Sequence, residues 1–135
     1  MSTPTKEVIP FGLHLMIEAY NCPPSVLNDA NLVYKVLDEV PELIGMHKLT
    51  KPYVVFAEGN DKRDPGGWSG FVIIQESHVS AHTFIKRRFV TIDVYSCKDF
   101  DPQIAIEYFK KILQTEDLEI NTQVRGTKYP PENID

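Results

Sequence analysis

Leu13, Leu15, Ile17 and Ala19 alternate with His14, Met16 and Glu18, the period-two pattern of a strand with one buried face, which predicts an extended segment over residues 11–20. Cys22-Pro23-Pro24 halts it. Leu32, Val33, Val36, Leu37 and Val40 then recur at helical spacing, and Pro41 with Gly45 predicts the end of that helix. Residues 53–57 are β-branched and aromatic, a second strand, and residues 58–67 form a polar loop. Three strands follow in quick succession over 68–75, 78–84 and 89–95. Asp101-Pro102 starts a second helix, aspartate as N-cap and proline at its first position, with an apolar stripe of Ile104, Ala105, Tyr108, Phe109, Ile112 and Leu113. A last strand over 118–124 precedes a polar tail. The order β-α-β-β-β-β-α-β predicts an α+β two-layer sandwich, one mainly antiparallel sheet with two helices on one face. The other face then needs a partner, and a second copy of the chain is the economical one, giving a homodimer with paired sheets.

Composition narrows the classes. A chain of 135 residues suits one domain with a real core, and 42% hydrophobic with 24% charged residues is the balance of an ordinary globular protein. A net charge of −5 argues against a nucleic-acid binder. No apolar run approaches the roughly 18 residues of a membrane helix, and residues 1–10 lack a signal-peptide core, so a cytoplasmic protein with no membrane partner is expected. Cys22 and Cys97 make no disulfide framework.

The candidate chemistry lies at the centre. Ser77 follows Glu76 in a break between two apolar runs, His82 comes five residues later, and Ser69 and Cys97 flank the pair. On a strand over 78–84, His78, Ser80, His82 and Phe84 share one side. A serine with a nearby base is the minimal nucleophile arrangement. There is no G-x-S-x-G elbow, and Asp93 is the one carboxylate in view to orient His82, so a hydrolase triad has little support. Serines and histidines on ordinary strands remain the alternative. His14 reads as structural and His47 as a surface residue. The histidines and cysteines are too scattered for a zinc site, and no metal is expected.

Ser69-Gly70, Glu76-Ser77-His78, His82-Thr83, Asp93, Cys97 and Asp101-Pro102, with Phe11-Gly12-Leu13-His14-Leu15 upstream, resemble the small bacterial and archaeal type of S-adenosylmethionine decarboxylase. The resemblance implies a proenzyme of polyamine biosynthesis that cuts itself at Glu76-Ser77 into a β chain (1–76) and an α chain (77–135), which stay associated. Ser77 Oγ would attack the Glu76 carbonyl, Ser69 would steady the oxyanion, and His82 would take the Ser77 α-proton, leaving a pyruvoyl cofactor on residue 77. The pyruvoyl carbonyl would form a Schiff base with the amine of an amino-acid-type substrate and accept the electrons released with CO2, and Cys97 would return a proton to the α-carbon. The resemblance also implies an active site at the dimer interface, drawn from both copies.

The substrate residues depart from that family. Where it reads His-Thr-Trp-Pro-Glu, this chain reads His82-Thr83-Phe84-Ile85-Lys86, and Arg63-Asp64-Pro65 stands where the family has Phe-x-Pro. Phe84 can still stack on a base, whereas Lys86 replaces an acceptor with a cation. With Asp61 and Asp64 as carboxylates for a basic substrate end, this pattern leans towards arginine or ornithine. S-adenosylmethionine is the alternative substrate, and a non-catalytic regulatory paralogue is a second class.

Overall fold

The structure, a computed structural model, describes residues 9–60 and 62–134. The alternating segment forms β1 (Gly12–Ala19). α1 (Pro24–Leu27) and α2 (Ala30–Leu43) follow, then β2 (Tyr53–Ala57), β3 (Gly67–Ile74) and β4 (Ser77–Phe84). A 3-10 turn (Ile85–Arg87) leads to β5 (Phe89–Ser96), α3 (Pro102–Leu113) and β6 (Leu118–Arg125). The strands form one six-stranded sheet in the order β2-β3-β4-β5-β1-β6, antiparallel at every pairing.

Alternation sorts the two faces. Leu15 and Ile17 of β1, Val72 and Ile74 of β3, Val79 and Ala81 of β4, and Val90, Ile92 and Val94 of β5 are buried. They belong to one core with Val33, Val36, Leu37 and Val40 of α2 and Ala105, Phe109 and Leu113 of α3. Each such fully buried aliphatic side chain contributes about 1.5–3 kcal/mol, so this face carries most of the stabilisation. At Gly70 an added Cβ would lie 2.7 Å from Leu37 Cδ1, which shows how closely α2 is laid on β3. Among the described residues the opposite face has no helix. It carries His14, Asp93, Tyr95, His78 and His82 near its centre, and Tyr53, Val55, Phe71 and Ile73 on β2 and β3 remain 38–58% exposed. An apolar area of this kind marks an association surface.

Two local expectations change. Pro41 lies inside α2 rather than ending it, and the helix runs on to Leu43. The Pro41 carbonyl accepts the Met46 N–H at 2.8 Å and Gly45 takes a positive φ, so the chain leaves the helix after the proline. Pro23-Pro24 does more than stop β1: Pro24 opens the short α1, where its missing N–H costs nothing.

Candidate active site

Gln75 and Glu76 form the two-residue loop of the β3–β4 hairpin, whose last pair is Ile74 with Ser77. Such loops match the twist of their strands when positive φ falls within the loop. Here neither loop residue has it, and Ser77 instead carries a φ of +153°. A side-chain-bearing residue rarely adopts that value. Around the N–Cα bond Cβ lies about 120° from the residue's own carbonyl carbon, so this φ leaves Ser77 Cβ roughly 30° from eclipsing the Glu76 carbonyl carbon. On an ordinary strand the same angle is about 120°. Ser77 therefore has the near-eclipsed arrangement that a five-membered ring of Oγ, Cβ, Cα, N and the Glu76 carbonyl carbon needs.

The Glu76 carbonyl is also held. The Cys97 N–H donates to Glu76 O at 2.8 Å, across the β4–β5 pair of Ser77 with Ser96. Cys97 itself is free and exposed, and it lines a cavity of about 380 Å³ with Ile9, Phe11 and Tyr129. Cys22, by contrast, is buried with its thiol pushed up to about 11 by desolvation, aided by Asp117, and is inert. Gly126, at φ +67°, lets the chain after β6 pass close to Phe11, because a Cβ there would lie 2.4 Å from Phe11 Cβ.

Ser69 and His82 lie together elsewhere. They are a cross-strand pair, and His82 Nδ1 is 2.8 Å from Ser69 Oγ. That contact leaves Nε2 free to face outward. Ser77 and His82 are both on β4, and five residues of extended strand span about 17 Å. His82 cannot reach the α-proton of Ser77 in its own chain, and Ser69 cannot reach the Glu76 oxyanion. The candidate residues thus fall into two separate groups, Ser77 near Cys97 and Ser69 with His82. Asp93 does not orient His82 either; its Oδ1 is 2.8 Å from His14 Nε2. Beside that pair, burial lowers the His78 imidazole, with His14 and Arg125 adding to the effect against Asp93.

The residues predicted to meet substrate gather beyond His82. Phe84 stacks against Phe89 at 5.5 Å, and Phe89 against Tyr20 at 5.2 Å. These rings, with Arg63 and Arg87, line a cavity of about 420 Å³. Arg63 and Arg87 also border an adjoining polar cavity with Lys62, Lys86 and Asp64. Asp64 is turned into its own loop, where Oδ1 accepts the Gly66 N–H at 2.8 Å. Asp61 lies outside the described residues. Asp64 is thus engaged with its own backbone rather than offered to the basic end of arginine or ornithine. Sequence reasoning missed Tyr20, Phe89 and Arg87, because only the folded sheet brings them to Phe84. It also missed His47, whose N–H donates to Glu76 Oε1 at 3.0 Å.

A family profile described as S-adenosylmethionine decarboxylase matches residues 13–126. The S-adenosylmethionine decarboxylase proenzyme 2 of Bacillus cereus is 32% identical over 117 residues, 86% of this chain and 89% of that protein. The proenzyme of Brevibacillus brevis is 33% identical over 86% of this chain and 83% of its own length. That of Pyrococcus horikoshii is 30% identical over 85% and 78%. The crystal structure of the adenosylmethionine decarboxylase from Aquifex aeolicus superposes with a TM-score of 0.73 at 22% identity, over 93% of this chain and 98% of that one, which establishes a common fold.

Proposed function

This chain belongs to the S-adenosylmethionine decarboxylase family, and from that premise we propose that it is a proenzyme that cuts itself between Glu76 and Ser77 and then decarboxylates S-adenosylmethionine. The observation that carries the self-cleavage is the Ser77 φ of +153° beside a Glu76 carbonyl already held by the Cys97 N–H. Ser77 Oγ closes on the Glu76 carbonyl carbon, the Cys97 amide steadies the oxyanion, and the C–N bond breaks to leave an ester and a free amine on residue 77. A base then removes the Ser77 α-proton, the ester C–O bond breaks with Glu76 leaving as a carboxylate, and water releases ammonia from the dehydroalanine. The residues present fit the resulting pyruvoyl group, since residue 77 sits beside Cys97 at an open end of the sheet. That group supplies an electron sink for the loss of CO2. Cys97 Sγ holds the proton to be returned to the substrate α-carbon.

The base and the second oxyanion donor come, in this reading, from another copy. The uncovered sheet face presents His82 and Ser69, and we propose that two copies pair through this face so that one copy's Ser69 and His82 meet the other's Ser77 and Cys97 at its hairpin end. A dimer with two shared sites follows, with the β and α chains of each copy woven in one sheet.

The proenzyme names of the relatives support S-adenosylmethionine over the arginine or ornithine expected from the sequence. The aromatic group of Tyr20, Phe84 and Phe89 offers faces for a stacked adenine. Intact mass on a denatured sample tests the first claim: two fragments meeting at residue 77, and one uncut chain for Ser77→Ala. CO2 release tests the second, with S-adenosylmethionine turned over well above arginine and ornithine. A wild-type chain that stays whole would place it with non-catalytic regulators.

A further inference from the structure

Glu76 is gripped by a segment that takes no part in this chemistry. Its side chain is only 11% exposed although it stands in a hairpin loop. Oε1 accepts the His47 N–H at 3.0 Å, and Oε2 lies 3.4 Å from His47 Nδ1. The His47 carbonyl accepts the Gln75 N–H at 2.8 Å, so both backbone groups of His47 hold the loop. The segment continues along β3: Lys48 bridges Ile74, and the Leu49 N–H donates to Ile73 O at 2.9 Å. It is fixed in turn to α2, where Lys48 Nζ contacts Asp38 at 2.6 Å and Glu42 at 3.2 Å, and Met46 is buried. The His47 N–H is the main reason the Glu76 carboxyl lies below the usual carboxylate range.

Neither the acyl shift nor the elimination uses that carboxylate. It is nonetheless fixed one residue before the bond to be cut, while the carbonyl of the same residue is fixed from β5 by Cys97. Residue 76 is thus held at both ends, and rotation about its backbone would swing its carbonyl away from Ser77 Oγ. With the loop pinned, the mismatch between turn and strand twist falls on Ser77, where it produces the near-eclipsed Cβ.

We infer that the Glu76 carboxylate and His47 form a positioning clamp that holds the Glu76–Ser77 peptide in its ring-closing geometry and so sets the rate of self-cleavage. The inference rests on the self-cleaving reading above and adds two positioning residues to it. The test follows the full-length chain by intact mass after denaturation at timed intervals, with thermal midpoint and native mass measured alongside. Glu76→Ala slows cutting by about ten- to a hundredfold, the loss of a hydrogen bond to a charged group. Glu76→Gln keeps the oxygen that accepts the His47 N–H and recovers most of the rate. His47→Ala keeps the backbone donor and slows cutting only a few-fold. Midpoints and native masses match the wild type, and no hydroxylamine-sensitive ester accumulates, because the acyl shift is the step affected. A wild-type rate in Glu76→Ala overturns the clamp, as does accumulated ester or a lowered midpoint that glutamine fails to restore. In each of those cases self-cleavage itself stands, whereas a wild-type chain that is never cut defeats both.

Discussion

A mixture of two inactive chains should produce cutting that neither shows alone. In the proposed scheme Ser77→Ala lacks the nucleophile, and His82→Ala lacks the base. Within one copy His82 lies about 17 Å along β4 from the proton it must take, against the roughly 3 Å of a hydrogen bond. No rotamer bridges that gap, so a base acting in its own chain is excluded. In a mixed dimer one of the two shared sites pairs Ser77 and Cys97 of the His82→Ala chain with the intact His82 and Ser69 of its partner. The other site combines both defects. With equal expression and random pairing, about half of the His82→Ala chains stand in mixed dimers and are cut, while every Ser77→Ala chain stays whole. Co-expression with a mass tag on one chain, followed by intact mass of the denatured sample, reads both fractions. A His82→Ala chain that remains uncut in the mixture, with mixed dimers present by native mass, would refute the shared site. Cutting of His82→Ala by itself at the wild-type rate would remove His82 from the role altogether.

Cys97→Ala keeps the backbone N–H that holds the Glu76 carbonyl, so it should be cut to two fragments at a near-normal rate yet lose turnover, with CO2 release per pyruvoyl group as the measure. Lys86→Glu should raise kcat/KM for S-adenosylmethionine by about tenfold, the value of a hydrogen bond to a charged acceptor, and an unchanged value would show that residue 86 does not meet the ribose. The His78 imidazole is held below its ordinary value by burial and by His14 and Arg125. A base with a lowered folded pKa stabilises above its unfolded value and loses that contribution as pH falls through the folded one. The thermal midpoint should therefore fall as pH drops below the ordinary imidazole range, and His78→Gln should flatten that dependence.

Local chemistry made the elements legible. Alternation in β1 names the buried set Leu15, Ile17 and Ala19, and Asp101-Pro102 starts α3 where an N-cap and N1 proline should. The family motifs single out the candidate reactive residues as well. What stays hidden is how far apart they stand. Five residues between Ser77 and His82 read as proximity, but an extended chain gives the longest reach per residue, and only the assignment of both to one strand turns the spacing into a separation. The charge of Asp64 is visible in sequence, yet its engagement with the Gly66 N–H is not. His47 gives no signal at all. Its segment has no periodicity, and its grip on Glu76 is made largely by backbone atoms, which every residue type possesses.

The strand order has a consequence for the protein after cutting. β1, β2 and β3 precede the proposed cut and β4, β5 and β6 follow it, yet β1 is hydrogen-bonded between β5 and β6, while β3 borders β4. The two products are interleaved like the fingers of clasped hands, so neither can drift off without tearing ladders on both sides. Maturation then acts as a one-way gate in folding. An uncut chain closes its own sheet in a unimolecular step, at a rate independent of dilution. Once unfolded, the nicked form must find its other piece before the sheet can close, and its recovery becomes a second-order event that fades as the solution is thinned.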